Sequence, residues 1–185
     1  QPTGLKKMLA AISGGIGVEF CGGAQPARLY YPEYSEYMDE NTPAHIFNRG
    51  IQGVGYRYRQ CFAQGVLAFA EYDAAFSMAD AEESPSGLCR VALDRLCTPV
   101  QLNEDARARY GAYLGSHADD ALALVLADRD AAALQVLGTV LAPQARREGA
   151  LSCGGAGWSE GAALLLAGTA GSGHKPKKSY DFDDL

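Results

Sequence analysis

Cysteine and histidine side chains are the most frequent nucleophiles, bases and metal ligands, and this chain of 185 residues contains five cysteines and three histidines. The cysteines are widely spaced, and no Cys-x-x-Cys pair occurs. The three histidines (His45, His117 and His174) do not stand at ligand spacing from one another. The pattern favours reduced, buried thiols over a disulfide framework or a structural zinc site.

Sequence motifs for catalysis or cofactor binding are not found. There is no Gly-x-Ser-x-Gly elbow, no His-Glu-x-x-His, no phosphate loop and no dinucleotide fingerprint. The Gly14–Gly17 cluster lacks a following Lys-Ser/Thr and leads into a predicted strand, so it is interpreted as a turn. No cofactor is expected. An enzyme or enzyme accessory remains the alternative hypothesis, with a site in the N-terminal part near His45, Arg57 and Arg59.

Aromatic and basic residues alternate from Tyr56 to Phe62, which predicts a strand with tyrosines on one face and arginines on the other. Such interleaving also occurs in platforms for single-stranded nucleic acid. Nucleic-acid contact through the Tyr56–Arg59 strand is therefore a second alternative. The net charge of −6 and the pI near 5.0 disfavour it, because phosphate binding needs an excess of Lys and Arg.

A second aromatic segment mixes tyrosines with carboxylates. Tyrosines combine a large apolar ring with a polar hydroxyl and therefore suit interfaces, although a half-buried loop explains them as well. The segment comprises Tyr30, Tyr31, Tyr34 and Tyr37 among Glu33, Glu36, Asp39 and Glu40.

Residues 119–168 contain two similar halves. Each half has a short helical pattern, a tight turn, an acid and then an apolar run. Aligning Asp130 with Glu160, 30 residues apart, matches Leu134 with Leu164. Neither short helix pair could bury its apolar face alone, so the sequence predicts two stacked helical hairpins.

Residues 119–168 resemble the helical part of ankyrin repeats, and the match lies in the glycine turn, acid, leucine triplet and closing glycine of the second half (Gly157, Trp158, Glu160, Leu164–Leu166 and Gly168). The resemblance implies stacked helical hairpins and protein binding. The chain departs from the family in lacking the Thr-Pro-Leu-His opening and room for the projecting finger, and its period is shorter than the usual 33. A helical bundle with coincidental similarity is the alternative.

The remaining patterns place the other elements. We expect a helix over 5–12, a hairpin from Ile16–Cys21 and Ala27–Tyr31, a loop over 41–55, and helices either side of Pro99. Residues 66–72 fit a strand, whereas the adjoining Tyr72–Ala81 stretch fits a strand or a helix. Residues 82–87 look like a boundary. A helix cap is expected from Asn103 and from one of Asp119 and Asp120.

The predicted fold class is therefore α+β, with a β-containing N-terminal unit (1–83), an ankyrin-like unit of stacked helical hairpins (86–168) and a flexible tail (169–185) that is either a docking peptide or a solubilising terminus. The predicted function is a non-catalytic, cytoplasmic interaction or adaptor module. Its expected partner is a protein, no membrane association is expected, and the sequence does not specify the oligomeric state. The predicted protein-binding residues are Tyr30, Tyr31, Tyr34, Tyr37, Tyr56, Arg57, Tyr58, Arg59 and Trp158.

Overall fold

A computed structural model describes residues 4–21, 25–41, 45–79 and 84–167, and these form small antiparallel hairpins followed by helices. The α+β prediction is confirmed. The elements run in the following order: α1 (Leu5–Ala10), β1 (Ile16–Phe20), β2 (Ala27–Tyr31), β3 (Ser35–Asn41), β4 (Ile46–Gln52), α2 (Gly55–Arg59), β5 (Phe62–Ala63), β6 (Val66–Leu67), α3 (Phe69–Ala79), α4 (Pro85–Cys97), α5 (Glu104–Ser116), α6 (Ala118–Asp128), α7 (Ala131–Val140), α8 (Pro143–Gly155) and α9 (Ser159–Ala167).

The first hairpin pairs β1 with β2 in the position that the sequence predicts. On β2, Ala27, Leu29 and Tyr31 are buried, and Arg28 and Tyr30 between them are half-buried. This period of two is typical of a strand that covers a core with one face. Strand β2 packs its buried face against α4.

The second hairpin corrects the expectation of a loop over 41–55. Strands β3 and β4 are antiparallel and run in register from the Ser35–Gln52 pair to the Asn41–Ile46 pair. Glycines at 50 and 53 pointed to a loop, but Gly50 lies opposite Tyr37 inside the hairpin. A Cβ at Gly50 would collide with the Tyr37 ring, so the glycine allows the aromatic ring to cover the neighbouring strand.

The strand predicted for Tyr56–Phe62 is also wrong, because residues 55–59 form helix α2. The alternation of residue types suits a strand, but tertiary contacts override it. Arg59 is fully buried and bonds to backbone carbonyls that lie all around it, which a residue on the solvated face of a strand could not do.

The strand expected over 66–72 is limited to Val66–Leu67, and α3 begins at Phe69. In the turn that precedes β6, Gln64 and Gly65 both have positive φ, as a two-residue type I′ hairpin turn requires. Of the predicted boundary over 82–87, residues 82 and 83 lie outside the described residues. Ser84 caps α4 by accepting a hydrogen bond from the Gly87 N–H, so Pro85–Gly87 belong to that helix.

Helix α4 is the central element, with β2, α5, α6 and α7 all packed against it. Every side chain from Leu88 to Leu96, except that of Arg90, is buried. A helix surrounded in this way normally carries apolar residues on all sides, yet Asp94 and Arg95 are among its buried residues. Each of these two charges requires a partner from another element.

Arg95 binds Asp73 of α3 through two parallel hydrogen bonds, from Nε to Oδ1 at 2.7 Å and from Nη2 to Oδ2 at 2.9 Å. The Tyr110 hydroxyl of α5 donates a third bond to Asp73 Oδ1 at 2.7 Å. The Phe69 ring covers the guanidinium at 4.9 Å. Burial acts to lower the pKa of Arg95, but the hydrogen bonds and charge of Asp73 raise it above its ordinary value. The ion pair therefore joins α3, α4 and α5.

The two C-terminal helix pairs are present, with α6 packed on α7, α8 on α9, and the second pair against the first. Asn103 caps α5 as predicted, but α6 begins at Ala118 without a side-chain cap, so neither Asp119 nor Asp120 serves as one. Asp130 caps α7 by accepting from the Ala133 N–H.

The internal correspondence between the pairs differs from the sequence alignment by two residues. The left-handed residues before α7 and α9 are Arg129 and Gly157, 28 positions apart rather than 30. The same offset matches the buried Leu137 with the buried Leu165. Leu164, which the sequence alignment placed in the core, is half-buried, and its neighbour Leu165 occupies the core position instead.

One hydrophobic core extends from Leu5 of α1 to Leu165 of α9. The division into units 1–83 and 86–168 stays a prediction, and the predicted tail 169–185 lies outside the described residues. Within the described ranges, no helix is long and apolar enough to cross a membrane.

Replacing Arg95 by alanine is expected to reduce the free energy of unfolding by about 3–5 kcal/mol, because the Asp73 carboxylate would remain buried without its partner. Urea denaturation measures this change. Arg107→Ala is the matched control, since Arg107 makes a solvent-exposed pair with Glu104 at 3.7 Å and should lose less than about 1 kcal/mol. Similar losses in the two variants would contradict the structural role of the buried pair.

Candidate interaction surface

The β3–β4 hairpin, residues 35–41 and 46–52, is called the arm. Its two strands contact each other far more than they contact any other helix or strand. Nearly all of its side chains are exposed. Five are large and apolar: Tyr37, Met38, Ile46, Phe47 and Ile51, with exposed fractions between 41% and 73%. An isolated two-stranded hairpin is at best marginally stable in water, and clustered exposed apolar side chains mark interaction sites.

Strand register separates the two faces of the arm. The pairs Glu36–Ile51, Met38–Arg49 and Glu40–Phe47 lie on one face, because paired residues point to the same side of a sheet. Met38 is therefore diagonal to both Ile51 and Phe47. These three side chains form an apolar stripe across the face, which we call the stripe.

Charge on the arm is mostly negative and concentrated on β3. The segment 33–52 has four carboxylates and one arginine, a net charge of −3. Arg49 bonds to Glu36, and His45 Nδ1 lies 2.8 Å from Glu40 Oε1. Asp39 has no ion-pair partner among the residues that the structure describes.

Arg59 holds the base of the arm in place. Its guanidinium donates to the carbonyl oxygens of Pro32 at 2.5 Å, before β3, and Gly55 at 2.8 Å, after β4. It also donates to the carbonyls of Leu9, Ile12 and Gly14 in and after α1. Burial lowers the pKa of Arg59. Five carbonyls thus surround one cation and fix both ends of the arm to α1.

Two further contacts support this base. The Tyr34 N–H donates to the Ser13 carbonyl at 2.9 Å, and the Tyr34 ring lies over the Arg59 guanidinium at 5.0 Å. Tyr34 also packs edge-on against Tyr56, with ring centroids 5.5 Å apart. A Cβ at Gly55 would collide with the Pro32 carbonyl, so only glycine allows the two ends of the arm to approach so closely.

The structure divides the sequence-predicted binding residues between surface and interior. Tyr37, Tyr56 and Arg57 are exposed, and Tyr30 and Tyr34 are half-buried. The others are buried: Tyr31, Tyr58, Arg59 and Trp158.

Trp158 lies within the helical region directly before α9, far along the chain from the arm. A Cβ at Gly161 would overlap the Trp158 ring, so the ring packs directly on the α9 backbone. Tyr37 is the one predicted binding residue that belongs to the arm, and Tyr34 lies at its base.

Sequence reasoning missed the apolar residues of the arm, Met38, Phe47 and Ile51. Apolar and polar residues do not alternate cleanly over 35–41 or 46–52, and Pro43, Gly50 and Gly53 indicate a loop. A hairpin hypothesis over 35–52 would have paired Met38 with Arg49 and brought the three apolar residues onto one face.

The residues of the enzyme alternative have separate partners. His45 binds Glu40, Arg57 donates to Met78 Sδ at 2.9 Å, and Arg59 binds the five carbonyls. Burial raises the pKa of the Cys61 and Cys89 thiols to about 12. Within the described ranges, no group of three or more His, Cys, Asp or Glu side chains is arranged to hold a metal ion.

A second polar region joins the first hairpin to the helices. Arg28 Nε donates to Asp94 Oδ1 at 2.6 Å and Nη1 to Asp130 Oδ2 at 3.1 Å. Thr98 Oγ1 accepts from the Arg28 N–H at 2.8 Å. A cleft of about 240 Å³ beside Arg28 is lined by residues that include Cys21, Cys97 and Asp130. Arg28 and the two aspartates that it binds are therefore paired within the protein, and this region holds β2 on α4.

The pKa values of the two carboxylates of this region shift in opposite directions. Burial raises the pKa of Asp94 to about 6, although Arg28 acts to lower it. Burial also acts to raise the pKa of Asp130, but hydrogen bonds from the Ala133 N–H and Arg28 bring it below its ordinary value. Asp94 is 2% exposed and Asp130 is half-buried, which explains the difference.

Comparisons with protein-family models, curated proteins and solved structures returned no match. The resemblance of residues 119–168 to ankyrin repeats therefore stays a prediction.

Replacing Arg59 by methionine is expected to lower the free energy of unfolding by about 3 kcal/mol, since several buried carbonyls would lose their donor. Arg59→Lys should recover part of the loss because a lysine provides three donors. Urea denaturation gives the stability, and hydrogen exchange at residues 33–36 and 51–55 reports the base of the arm. The exposed Arg57→Met is the control, and equal small losses in both variants would contradict the role of Arg59.

Asp94 is expected to make stability fall as pH rises from about 4 to 6. In that window the folded state, with a pKa of about 6, binds more protons than the unfolded state, whose aspartate pKa is about 3.9. The free energy of unfolding of the wild type minus that of Asp94→Asn should therefore decrease by about 2 kcal/mol across the window. Urea denaturation at several pH values measures it, with the exposed Asp105→Asn as control. A difference that increases with pH would contradict the raised pKa.

Proposed function

We propose that the protein is a non-catalytic protein-interaction module and that the arm is its docking surface. The observation that supports this most is the stripe: Met38, Phe47 and Ile51 are exposed by 73%, 63% and 41% on one face of a protruding hairpin. Burying such side chains is worth about 1.5–3 kcal/mol each relative to exposure. The chain alone gains only part of this, whereas a partner that covers the stripe would gain the rest.

The rigid base of the arm supports the same proposal. Binding costs conformational entropy when the binding segment must become ordered. Arg59, Tyr34 and Gly55 fix the two ends of the arm to α1, so less of this cost arises on binding. The helical part serves as the scaffold, because α4 is packed on all sides and holds β2 through Asp94.

The enzyme alternative has less support from the observed geometry. It requires His45, Arg57 and Arg59 to act on one substrate, but their hydrogen-bond partners form three separate sets. The nucleic-acid alternative requires exposed arginines on a strand, whereas α2 is a helix and Arg59 is buried. The segment 33–52, which contains the arm, moreover carries a net charge of −3, which repels phosphates.

The double variant Met38→Ser/Phe47→Ser is expected to lose binding to the partner while its free energy of unfolding changes by less than about 0.5 kcal/mol, since both side chains are exposed. The measurement is affinity capture from native extract, followed by titration of the purified partner against each variant. Titration should show an affinity loss of about tenfold or more.

Leu151→Ser is the matched control, because Leu151 on α8 is 77% exposed but lies outside the arm. It should bind like the wild type. Binding that persists in the arm variant, or that is lost equally in the Leu151 variant, would refute the arm as the docking surface.

A further inference from the structure

The outer edge of β3 is a second recognition feature of the arm, separate from the stripe. Among the described residues, β3 pairs with β4 alone, so the edge away from β4 presents unpaired backbone N–H and C=O groups. All side chains from Ser35 to Glu40 are exposed. An open edge strand is a template for another strand, and proteins commonly protect such edges. This one carries no proline and no lysine.

The charges on β3 determine which strands can pair with that edge. Three of its seven residues are carboxylates, Glu36, Asp39 and Glu40, whereas the only arginine of the arm is on β4. Neighbouring strands lie about 4.8 Å apart, and like charges directly opposite one another destabilise the pairing. A second acidic strand at the β3 edge is therefore disfavoured, and a basic strand is favoured.

This charge pattern also argues against a second copy of the chain. Two arms meeting through their β3 edges would bring together two segments of net charge −3 on chains of net charge −6. Such repulsion disfavours self-association and slows encounter at ordinary ionic strength. A basic partner would be attracted by the same field.

We infer that the occupant of the arm is an extended, basic segment of another protein that adds to β3 as a third strand. This inference rests on the proposed docking function and specifies its partner. Backbone hydrogen bonds to the β3 edge provide affinity without sequence preference, as in other cases of strand addition. The side chains of β3 then provide specificity, with Asp39 as the carboxylate that no described residue pairs.

The register of β3 specifies the pattern of the partner. Glu36, Met38 and Glu40 point to the face with the stripe, and Tyr37 and Asp39 point to the other face. A matching strand has basic side chains opposite Glu36, Asp39 and Glu40 and apolar ones opposite Tyr37 and Met38. The apolar residue opposite Met38 extends the stripe, while its basic neighbours bind the carboxylates beside it.

The test uses the full-length chain and a synthetic peptide with a seven-residue core that matches β3 in length. The core has lysine at the positions facing Glu36, Asp39 and Glu40, and tyrosine and valine at those facing Tyr37 and Met38. Fluorescence anisotropy gives the Kd. One control peptide has glutamate in place of each lysine. A second has the same side chains but N-methylated amides on the pairing edge, which prevents strand addition.

We expect the basic peptide to bind, with slower hydrogen exchange at the Ser35–Asn41 amides. Both control peptides should bind at least about tenfold more weakly. Asp39→Lys in the protein should weaken binding by about tenfold, and higher salt should weaken it further, because the interaction is between opposite charges. Glu148→Lys makes the same change of charge on the exposed side of α8 and should bind like the wild type.

Several results would overturn the inference and separate its failure from that of the docking proposal. If the glutamate or N-methylated peptide binds equally well, the basic-strand partner is wrong. The same holds if the captured partner depends on Met38 and Phe47 but not on Asp39, and in that case the arm remains the docking surface. If neither the peptide nor any captured protein depends on the arm, both proposals fail.

Two other occupants are outcomes of the same experiment. Light scattering that shows a dimer, abolished by Met38→Ser/Phe47→Ser, would assign the arm to a second copy. A slow exchange of the β3 amides in the free full-length chain, lost in Lys177→Glu/Lys178→Glu, would assign it to the chain's own basic segment. Either result would overturn the inference of a separate partner.

Discussion

The buried ion pair between Arg95 and Asp73 is the interaction on which the arrangement of helices depends. It is bidentate, it receives a third hydrogen bond from Tyr110, and neither side chain is more than 3% exposed. Removing two charges from water costs several kcal/mol per ion, and only nearly ideal geometry compensates for it. The pair is therefore satisfied only when α3, α4 and α5 occupy their observed positions. It restricts how these helices pack more than apolar contacts alone would.

The adjacent residue of α4 applies the same constraint on the other side of the helix. Asp94 binds Arg28 of β2, and Arg28 also reaches Asp130 at the start of α7. Two consecutive residues thus connect the central helix to α3 and α5 in one direction and to β2 and α7 in the other. Because successive residues of a helix point about 100° apart, neighbouring charges can serve different elements. The first hairpin and the helices are joined by directional bonds as well as by a continuous core.

Another buried arginine, Arg59, supports the proposed location of the function. Arg59 binds five carbonyls around the base of the arm, so the end of the arm that meets the protein is rigid while its apolar and acidic side chains face solvent. This division explains why the binding residues predicted from the sequence separate into two groups. Aromatic and basic residues near position 57 suggest one recognition surface, but Tyr58 and Arg59 are buried beneath the arm, and the proposed docking surface consists of residues on β3 and β4.

The sequence alone determined the elements whose signals are local. The cap at Asn103, an acid at the start of α7, the proline start of α8, the first hairpin and the two C-terminal helix pairs all follow from side chains within a few residues of one another. Only the tertiary structure decided that residues 55–59 are a helix, that 35–52 are a hairpin, and that the helix pairs correspond at 28 residues instead of 30. The reason is physical: Arg59 and Leu165 are selected by contacts distant in sequence, and burial and carbonyl geometry do not appear in the alternation of residue types. The acidic, aromatic character of residues 30–40 could be seen in the sequence, but its placement on an exposed strand edge required the fold.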